Sequence, residues 1–271
     1  MVSSAFVLLS VFAAAAAAKG GKRCLAWPWY NAPLNPGVFN NGNGEVVAIY
    51  DWETYRPPST NDTGGLEFIG MQRCLDCDSS PLTWLPARLQ EQGWHTVFTL
   101  NEPDLNGITP GQAAEWYIEH INPLPVAKAL PAVSSSVGPG QGLDWVSDMI
   151  TACAGQCHFD YVNAHWYGVS LEQFKSFIEG AHARFPNYRL VISEYALQPP
   201  ATQDDQVAFF KQALPFLDNA DYVELHCIYV ATSPALAEAH GTSPDWVGNS
   251  LYNDDGSPSA VGELVLSPSS G

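Results

Sequence analysis

The sequence predicts an α/β fold of the (β/α)8 TIM-barrel type, and three observations predict it. Eight short apolar or β-branched runs with the length of strands recur along the chain. Helical periodicity fills most gaps from the third run onward, so strand and helix alternate at about 30 residues. A barrel of this type typically needs about 250 residues, and the chain has 271.

The eight candidate strands contain many β-branched and aromatic residues. They run from Cys24 to Tyr30, Val46 to Trp52, Leu66 to Arg73, Thr96 to Glu102, Leu130 to Ser135, Phe159 to Trp166, Arg189 to Tyr195 and Tyr222 to Tyr229. Several are almost continuously apolar, as in Leu190-Val-Ile. Such runs are typical of parallel strands that are covered on both faces.

Apolar residues three or four positions apart predict helices in five of the gaps. These positions are Leu82, Leu85 and Leu89; Ala113, Trp116 and Ile121; Leu143, Val146 and Ile150; Leu171, Phe174 and Phe177; and Val207, Phe210 and Leu214. The gaps after the first two strands are instead rich in Asn, Gly and Pro, as in Asn40-Asn-Gly-Asn-Gly. Helices there are expected to be short or missing.

A doubly wound open sheet is the alternative fold. In that fold the first strand leads into a glycine-rich phosphate loop, and no G-x-G-x-x-G follows the first candidate strand. The barrel is therefore favoured. Its active site is built from the carboxyl ends of the strands, so charged and aromatic residues at those ends are the candidate site residues.

The first 18 residues predict a cleaved secretory signal, because residues 3 to 18 form an uncharged apolar run that ends in alanines. Residues 19–271 are then expected to form one barrel domain that is secreted, either extracellular or in a cell wall. No other apolar run approaches the roughly 18 residues of a membrane span, so no membrane association is predicted.

The charge balance argues against nucleic acid as a partner. Asp and Glu number 28 against 11 Lys and Arg, whereas duplex binding needs cationic side chains that neutralise phosphates. Only 14% of residues are charged and 12% are aromatic. A surface rich in amides, hydroxyls and rings suits an uncharged sugar.

Six cysteines in an oxidising compartment allow up to three disulfides. Cys153 and Cys157 are close enough in sequence for a local bridge, and Cys74 and Cys77 could form another, but the sequence leaves the connectivity open. Zinc is a weak alternative, since the two pairs do not match the usual ligand spacing. We expect neither a metal nor a cofactor.

Two candidate strands end in a glutamate. Glu102 follows Val97-Phe-Thr-Leu-Asn, and Glu194 follows Leu190-Val-Ile-Ser. Two carboxylates across one cleft are what glycoside hydrolysis requires, with one acting as acid and the other as nucleophile or base. Taken singly, either glutamate could instead cap a helix or pair with a surface cation.

Aromatic and polar side chains accompany the glutamates at the strand ends. The candidate sugar-binding residues are Asn101, Trp27, Trp29, Trp52, His165, Trp166, Tyr167, Tyr195 and Tyr229. Flat apolar faces of sugars stack on aromatic rings. Several large rings exposed to water on one rim therefore indicate a binding site.

The order of these motifs resembles glycoside hydrolase family 128, the Asl1-like glycosyl hydrolase catalytic core within the clan A retaining barrels. The resemblance is carried by Leu25-Ala-Trp-Pro-Trp-Tyr, Leu100-Asn-Glu-Pro-Asp, Leu143-Asp-Trp, Phe159-Asp-Tyr-Val-Asn-Ala-His-Trp-Tyr-Gly, Ile192-Ser-Glu-Tyr and Gly248-Asn-Ser-Leu-Tyr. It implies a β-1,3-glucanase with Glu102 as acid/base and Glu194 as nucleophile. It also implies that Asn101 holds the sugar hydroxyl next to the reacting carbon.

The leading hypothesis is therefore a monomeric enzyme that cleaves β-1,3-glucan or laminari-oligosaccharides with retention. A second hypothesis is a glucan- or oligosaccharide-binding wall protein with little turnover, which would need the rings but neither carboxylate. A third is a retaining barrel enzyme that acts on another β-glucan or on mannan.

Overall fold

The structure is a computed structural model that describes residues 21–269, so the predicted signal segment lies outside the described residues. Every pairing between its strands is parallel. The strands are β1 (Arg23–Ala26), β2 (Val46–Tyr50), β3 (Glu67–Phe68), β4 (Gly70–Met71), β5 (Thr96–Phe98), β6 (Ala127–Lys128), β7 (Tyr161–Gly168), β8 (Arg189–Leu197) and β9 (Val223–Ile228).

The strands pair in two ladders, β3-β2-β1-β9-β8-β7 and β4-β5-β6. Only Ile69 separates β3 from β4, so one extended segment pairs with β2 on one side and β5 on the other. Beyond β6, single bridges join Ala129 to Tyr161 and Val133 to Ala164 of β7. Parallel pairing therefore runs through eight positions and returns to β1, as the predicted α/β barrel requires.

The described residues contain seven α-helices. They are α1 (Leu85–Gln92), α2 (Pro110–Trp116), α3 (Leu143–Ala152), α4 (Leu171–Arg184), α5 (Gln203–Asn219), α6 (Pro234–Ala239) and α7 (Ala260–Leu266). Of these, α1 to α5 lie between strands, and α6 and α7 follow the last strand, β9. The first five are the predicted helices, with a π turn, Tyr117–Ile121, continuing α2. After β1 there is only a 3-10 turn, Pro36–Phe39, and residues 51–66 contain no helix, as predicted.

Several strands end earlier than predicted, since their carboxyl ends leave the regular ladder at the mouth of the barrel. The fifth predicted strand, Leu130 to Ser135, is wrong as a strand, because it follows β6 and makes only isolated bridges, whereas β7 and β8 each extend two residues beyond their predicted ends. Single hydrogen bonds replace the ladder where strands end early: Asn101 N donates to Arg73 O at 2.8 Å, and Glu102 N donates to Ala132 O at 2.7 Å. The site residues are thus held by backbone contacts to neighbouring strands although they lie outside the strands proper.

Side chains along the strands alternate between two apolar layers, because successive residues of a strand point to opposite faces. Cys24 and Ala26 belong to the cluster inside the barrel, whereas Leu25 and Trp27 belong to the layer between strands and helices. The inner cluster also holds Ala48, Tyr50, Ile69, Met71, Phe98, Ala129, Val191, Leu225 and Cys227. This double burial explains the continuous apolar runs in the sequence.

The six cysteines form three disulfides in the structure. Cys74 pairs with Cys77 and Cys153 with Cys157, which are the two local bridges that the sequence suggested. Cys24 pairs with Cys227, its register partner on the neighbouring strand, across 203 residues of chain. The long bridge joins the first and last strands of the barrel.

A buried polar chain joins three strands to α5 outside the barrel. The Tyr195 hydroxyl lies 2.8 Å from His226 Nδ1, and His226 Nε2 lies 3.0 Å from Asp218 Oδ1. Arg23 Nη2 donates to the other Asp218 oxygen at 2.6 Å. Arg23 also donates to the carbonyl of Val265, so the chain reaches the C-terminal helix.

Among residues 21–269, no helix is long and apolar enough to cross a membrane.

Candidate active site

Glu102 and Glu194 lie at the same mouth of the barrel, and one imidazole ring joins them. His165 Nδ1 lies 3.0 Å from Glu102 Oε1, and His165 Nε2 lies 3.4 Å from Glu194 Oε1. The two carboxylates are therefore separated by no more than one ring and two short contacts, although they are far apart in sequence. Both can act on one substrate bond.

Two donors hold the Glu194 carboxylate, one on each oxygen. Trp52 Nε1 donates to Oε1 at 2.7 Å, and the Tyr167 hydroxyl donates to Oε2 at 2.6 Å. Both carboxylate oxygens are therefore held by neighbouring side chains. Only 9% of the Glu194 side chain is exposed, so its position is fixed by these contacts and not by water.

Glu102 is more accessible, with 25% of its side chain exposed. Its backbone is in the left-handed region, at φ 44°, as is that of Trp52, at φ 59°. Such strain is typical of functional positions that the surrounding structure holds in place. Asn106 Nδ2 donates to the Glu102 carbonyl at 3.0 Å and stabilises this turn.

Asp104 orders the loop behind Glu102. Its carboxylate accepts hydrogen bonds from the backbone N–H groups of Ser134 and Gly142 and from the Ser134 hydroxyl, at 2.6 to 3.1 Å. All of these partners belong to the segment that follows β6. The side chain therefore joins two neighbouring loops of the barrel mouth.

His165 is fully buried, and both of its ring nitrogens face acceptors. Nδ1 faces Glu102, and Nε2 lies 3.1 Å from Ser193 Oγ, whose own proton is donated to Asn163 Oδ1 at 2.8 Å. An imidazole that donates on both sides is a cation. Burial alone would lower the pKa of His165, but the carboxylates of Glu194, Glu102 and Asp104 outweigh it and raise the pKa.

The contact between His165 and Glu102 also changes the pKa of Glu102. The hydrogen bond from His165 lowers the pKa of Glu102, against a smaller opposing effect of burial. Without substrate, the proton shared by the two side chains is thus held on His165. The pair stores a proton beside the carboxylate that is predicted to donate it.

Phenols complete the wall around Glu194. Burial, followed by the negative charge of Glu194, raises the pKa of Tyr167 and Tyr50 well above the usual value, so both remain donors. The ring of Tyr229 lies edge-on to Tyr167, with centroids 5.6 Å apart. Trp246 packs against the other side of Tyr167 at 5.5 Å.

Asn101 is half-buried beside Glu102, and its side-chain oxygen is buried without a hydrogen-bond partner in the protein. A buried amide oxygen without a partner costs free energy unless a ligand supplies the donor. Its position next to the acid suits a substrate hydroxyl.

Trp29 stands apart from this cluster. It is 63% exposed and packs against Tyr30 and His240, whose rings stack at 4.5 Å. It lies on the rim of the barrel mouth in the loop that follows β1.

Three predicted sugar contacts are wrong. Trp27, Trp166 and Tyr195 are buried in the layer between strands and helices, where Trp166 stacks on Phe209 and Tyr195 on Phe174. The cause is strand alternation: when His165 and Glu194 point into the mouth, the next residue on each strand points outward. Trp27 and Tyr195 have no surface to offer to a sugar, and the 3% of Trp166 that is exposed lines a groove beside α4 and not the wall around Glu102 and Glu194.

Sequence reasoning missed the residues that hold the candidate catalytic side chains. Asn163 and Ser193 support His165, and Tyr50 donates to the Ser193 carbonyl at 2.8 Å. Alternation could have found Asn163, because it lies two positions before His165 on β7.

Trp246 comes from a 3-10 turn after β9, and nothing local in the sequence points to it. The described residues hold no group of three or more His, Cys, Asp or Glu side chains that could bind a metal.

Comparison with known proteins gives a consistent result. Residues 25–264 match the family model described as glycosyl hydrolase catalytic core. The chain is 28% identical to alkali-sensitive linkage protein 1 of Schizosaccharomyces pombe (strain 972 / ATCC 24843), over 91% of this chain and 44% of that protein. The chain therefore spans less than half the length of this curated relative.

Two solved structures are similar over nearly the whole described chain. One is a subgroup IV endo-β-1,3-glucanase of glycoside hydrolase family 128 from Lentinula edodes, with 60% identity, a TM-score of 0.87 and coverage of 90% of this chain and 99% of that one. The other is a subgroup III curdlan-specific exo-β-1,3-glucanase of the same family from Blastomyces gilchristii, determined with glucose, with 25% identity and a TM-score of 0.71. That match covers 91% of this chain and 98% of the other.

Proposed function

The chain belongs to the glycosyl hydrolase catalytic core family and, within it, to glycoside hydrolase family 128, and from this membership we propose that it is a secreted endo-β-1,3-glucanase that acts with retention. It is thus a glycoside hydrolase. The observation that carries the proposal is the pair of strand-end glutamates, Glu102 and Glu194, joined through the ring of His165.

In the first step, Glu194 attacks the anomeric carbon while Glu102 gives a proton to the leaving oxygen. The different surroundings of the two groups support these roles. Glu194 is enclosed and accepts hydrogen bonds on both oxygens, as suits an ionised nucleophile, whereas Glu102 is open to water and has a proton within reach on His165. A substrate that covers Glu102 excludes water, and this favours the neutral carboxylic acid.

In the second step, Glu102 acts as a base and takes a proton from the water that releases the sugar from Glu194. His165 can hold that proton between turnovers, because it lies 3.0 Å from the same Glu102 oxygen. Asn101 contributes its unpaired amide oxygen to a sugar hydroxyl, and Tyr229 and Trp246 line the cleft.

The substrate class rests on similarity. The relative that is 60% identical acts on β-1,3-glucan from within the chain, and the match covers almost all of both proteins. A neutral polymer also agrees with the acidic composition of this chain. Secretion is supported by the apolar first 18 residues and by three disulfides, which persist mainly in oxidising compartments.

Sugar release from laminarin tests the proposal. Glu102→Gln and Glu194→Gln are each expected to lower kcat by roughly 10²- to 10⁴-fold, the usual contribution of such groups. Glu115→Gln, on the exposed face of α2, is the matched control and is expected to keep wild-type activity. Near-wild-type turnover in either site variant would contradict the assignment.

The early products distinguish the alternatives. Soluble laminari-oligosaccharides of several lengths indicate endo action, and glucose or laminaribiose alone would contradict it. If the protein binds to insoluble glucan but releases no sugar, the alternative of a glucan-binding wall protein is favoured instead. Faster release from a β-1,4-glucan or a mannan than from laminarin would move the substrate assignment to those polymers.

A further inference from the structure

The large apolar side chains that remain exposed are all on one face of the barrel. Within residues 21–269 they are Trp29, Trp84, Leu105, Val137 and Val169. Each follows the carboxyl end of a strand, Trp29 before the 3-10 turn Pro36–Phe39, Trp84 in a 3-10 turn directly before α1 and the other three before an α-helix. Each therefore belongs to the face that carries Glu102 and Glu194. The described loops at the opposite end of the barrel expose none.

The catalytic cleft does not account for these side chains. Its walls are Trp52, Tyr167, Tyr229 and Trp246, which are half-buried and contact one another or Glu194. Val137, by contrast, is 99% exposed. Apolar surface left in water is unfavourable by about 25 cal/mol per Å², and its concentration on one face indicates a surface that is covered in use.

A groove beside the cleft extends this surface. It lies between the segment after β6 and the first turns of α4, with a volume of about 500 Å³, within the usual range for ligand sites. Val137, Gly168, Gln173 and Phe177 are among its lining residues, and Tyr167 also belongs to it. Tyr167 is thus a wall residue of this groove and, through its hydrogen bond to Glu194, of the catalytic cleft as well.

We propose that these five exposed side chains and the groove form a rim surface that binds neighbouring chains of insoluble β-1,3-glucan while one chain occupies the cleft. The inference rests on the proposed function. A packed neutral polysaccharide presents many apolar sugar faces at once, which suits apolar side chains distributed over five segments at one end of the barrel. The formal charge of −17 disfavours an anionic membrane or a nucleic acid as the occupant.

The test compares insoluble and short soluble substrate in matched variants. Val137→Ser with Val169→Ser removes two exposed rim side chains that make no contact with the carboxylates. The control, Gln156→Ser with Asn187→Ser, alters two exposed positions at the opposite end of the barrel. Binding to curdlan particles is measured in the Glu194→Gln background, and hydrolysis of curdlan and of laminaripentaose is measured in the active enzyme.

For the rim variant we expect curdlan binding, and curdlan hydrolysis at low substrate, to fall roughly three- to tenfold, as the loss of two apolar contacts predicts. Hydrolysis of laminaripentaose is expected to stay within about twofold, and the control to match wild type on both substrates. Unchanged curdlan binding, or an equal loss on both substrates, would overturn the rim surface. If the wild-type protein sediments as an oligomer and the rim variant as a monomer, the rim surface binds a second copy of this chain and the proposal is overturned.

These outcomes separate the inference from the proposed function. If the wild-type enzyme releases no sugar from laminaripentaose or curdlan, the proposed function fails. If it does release sugar and the rim variant behaves as wild type on curdlan, only the rim surface fails.

Discussion

Two side chains from different strands hold the Glu194 carboxylate in place. Trp52 follows β2 and Tyr167 lies on β7, so the proposed nucleophile on β8 is held by hydrogen bonds from two other strands. Neither contact is local in sequence. The reactivity of Glu194 therefore depends on the assembled barrel and not only on its own strand.

Tyr167→Phe removes one of these hydrogen bonds and little else. We expect kcat to fall by roughly 10- to 100-fold, because a hydrogen bond to a charged group contributes about 1.5–3 kcal/mol. Steady-state kinetics on laminarin measure this, with Tyr188→Phe, a ring outside the site, as the control. Equal kcat in the two variants would show that the phenol does not support the nucleophile.

His165 couples the two carboxylates, and its effect on Glu102 has a definite sign. Its hydrogen bond lowers the pKa of Glu102 in the free enzyme. Loss of the ring therefore raises that pKa, and the acid stays protonated to a higher pH. The basic limb of kcat/KM reports the acid of the free enzyme.

For His165→Asn we thus expect lower turnover together with a basic limb that moves to higher pH. The control is His95→Asn, because His95 is also 3.1 Å from a glutamate, Glu67, but lies far from the mouth. The measurement is kcat/KM from pH 4 to 9 on a soluble laminari-oligosaccharide. A basic limb that is unmoved or shifted to lower pH would rule out the shared proton.

At the scale of elements, the buried polar chain of Arg23, Asp218, His226 and Tyr195 attaches α5 to three strands. Such a chain stabilises only while every member is paired, since a lone buried charge is strongly unfavourable. Burial, with Arg23 and Lys22, lowers the pKa of His226, although Asp218 opposes this. Burial alone would raise the pKa of Asp218, but His226 and Arg23 together lower it.

Asp218→Asn is expected to lower the free energy of unfolding by about 3–5 kcal/mol, because it removes the close counter-charge of buried Arg23 and leaves the longer contact with Glu45, at 3.9 Å. Asp148→Asn, on the exposed face of α3, is the control and is expected to cost little. Urea unfolding at pH 7 measures both. A cost below about 1 kcal/mol for Asp218→Asn would show that the chain does not stabilise α5.

The same chain predicts how stability changes with pH. Both His226 and Asp218 have a lowered pKa in the folded state, so the unfolded state binds more protons and stability falls as the pH falls. The His226 contribution is present above its ordinary pKa of 6.5 and is lost as the pH falls toward its folded value. His226→Gln should therefore flatten the change in unfolding free energy between pH 7 and 5, and an equally steep change would contradict this.

The disulfide between β1 and β9 makes a second prediction about elements. Peptide mapping without reduction should recover Cys24 linked to Cys227, together with the two local pairs. Replacing both Cys24 and Cys227 by alanine is expected to cost about 2–5 kcal/mol. Replacing both Cys74 and Cys77, whose sequence separation is only 3, is expected to cost less. The reverse order would contradict the stabilisation of the barrel by the long bridge.

For the molecule as a whole, the barrel fold could be predicted from the sequence, whereas the side-chain contacts between distant strands could not. The continuous apolar runs predicted parallel strands because the barrel buries both of their faces, and the turn residues near Asn40 predicted the missing helices. Alternation within a strand would have assigned Tyr195 and Trp166 to the outer layer. By contrast, the contact of Trp52 with Glu194 joins residues 142 apart, and no local pattern encodes it.

The net charge also acts at this scale. A chain with a formal charge of −17 repels itself less as carboxylates are protonated, which favours a working range below neutral pH. The acid role of Glu102 favours the same range, since its pKa is lowered in the free enzyme. Both effects therefore favour maximal hydrolysis of laminarin below pH 7.

In the proposed mechanism, Glu194 forms a covalent bond to the anomeric carbon, and Glu102 donates a proton to the leaving oxygen and later takes one from water. Trapping with 2-deoxy-2-fluoro-β-laminaribiosyl fluoride, followed by peptide mass spectrometry, tests this mechanism most directly, because the fluorine slows release of the intermediate. The predicted result is one added disaccharide on the peptide that contains Glu194, with none in Glu194→Gln. A label on any other residue, or release of inverted product without a label, would contradict the mechanism.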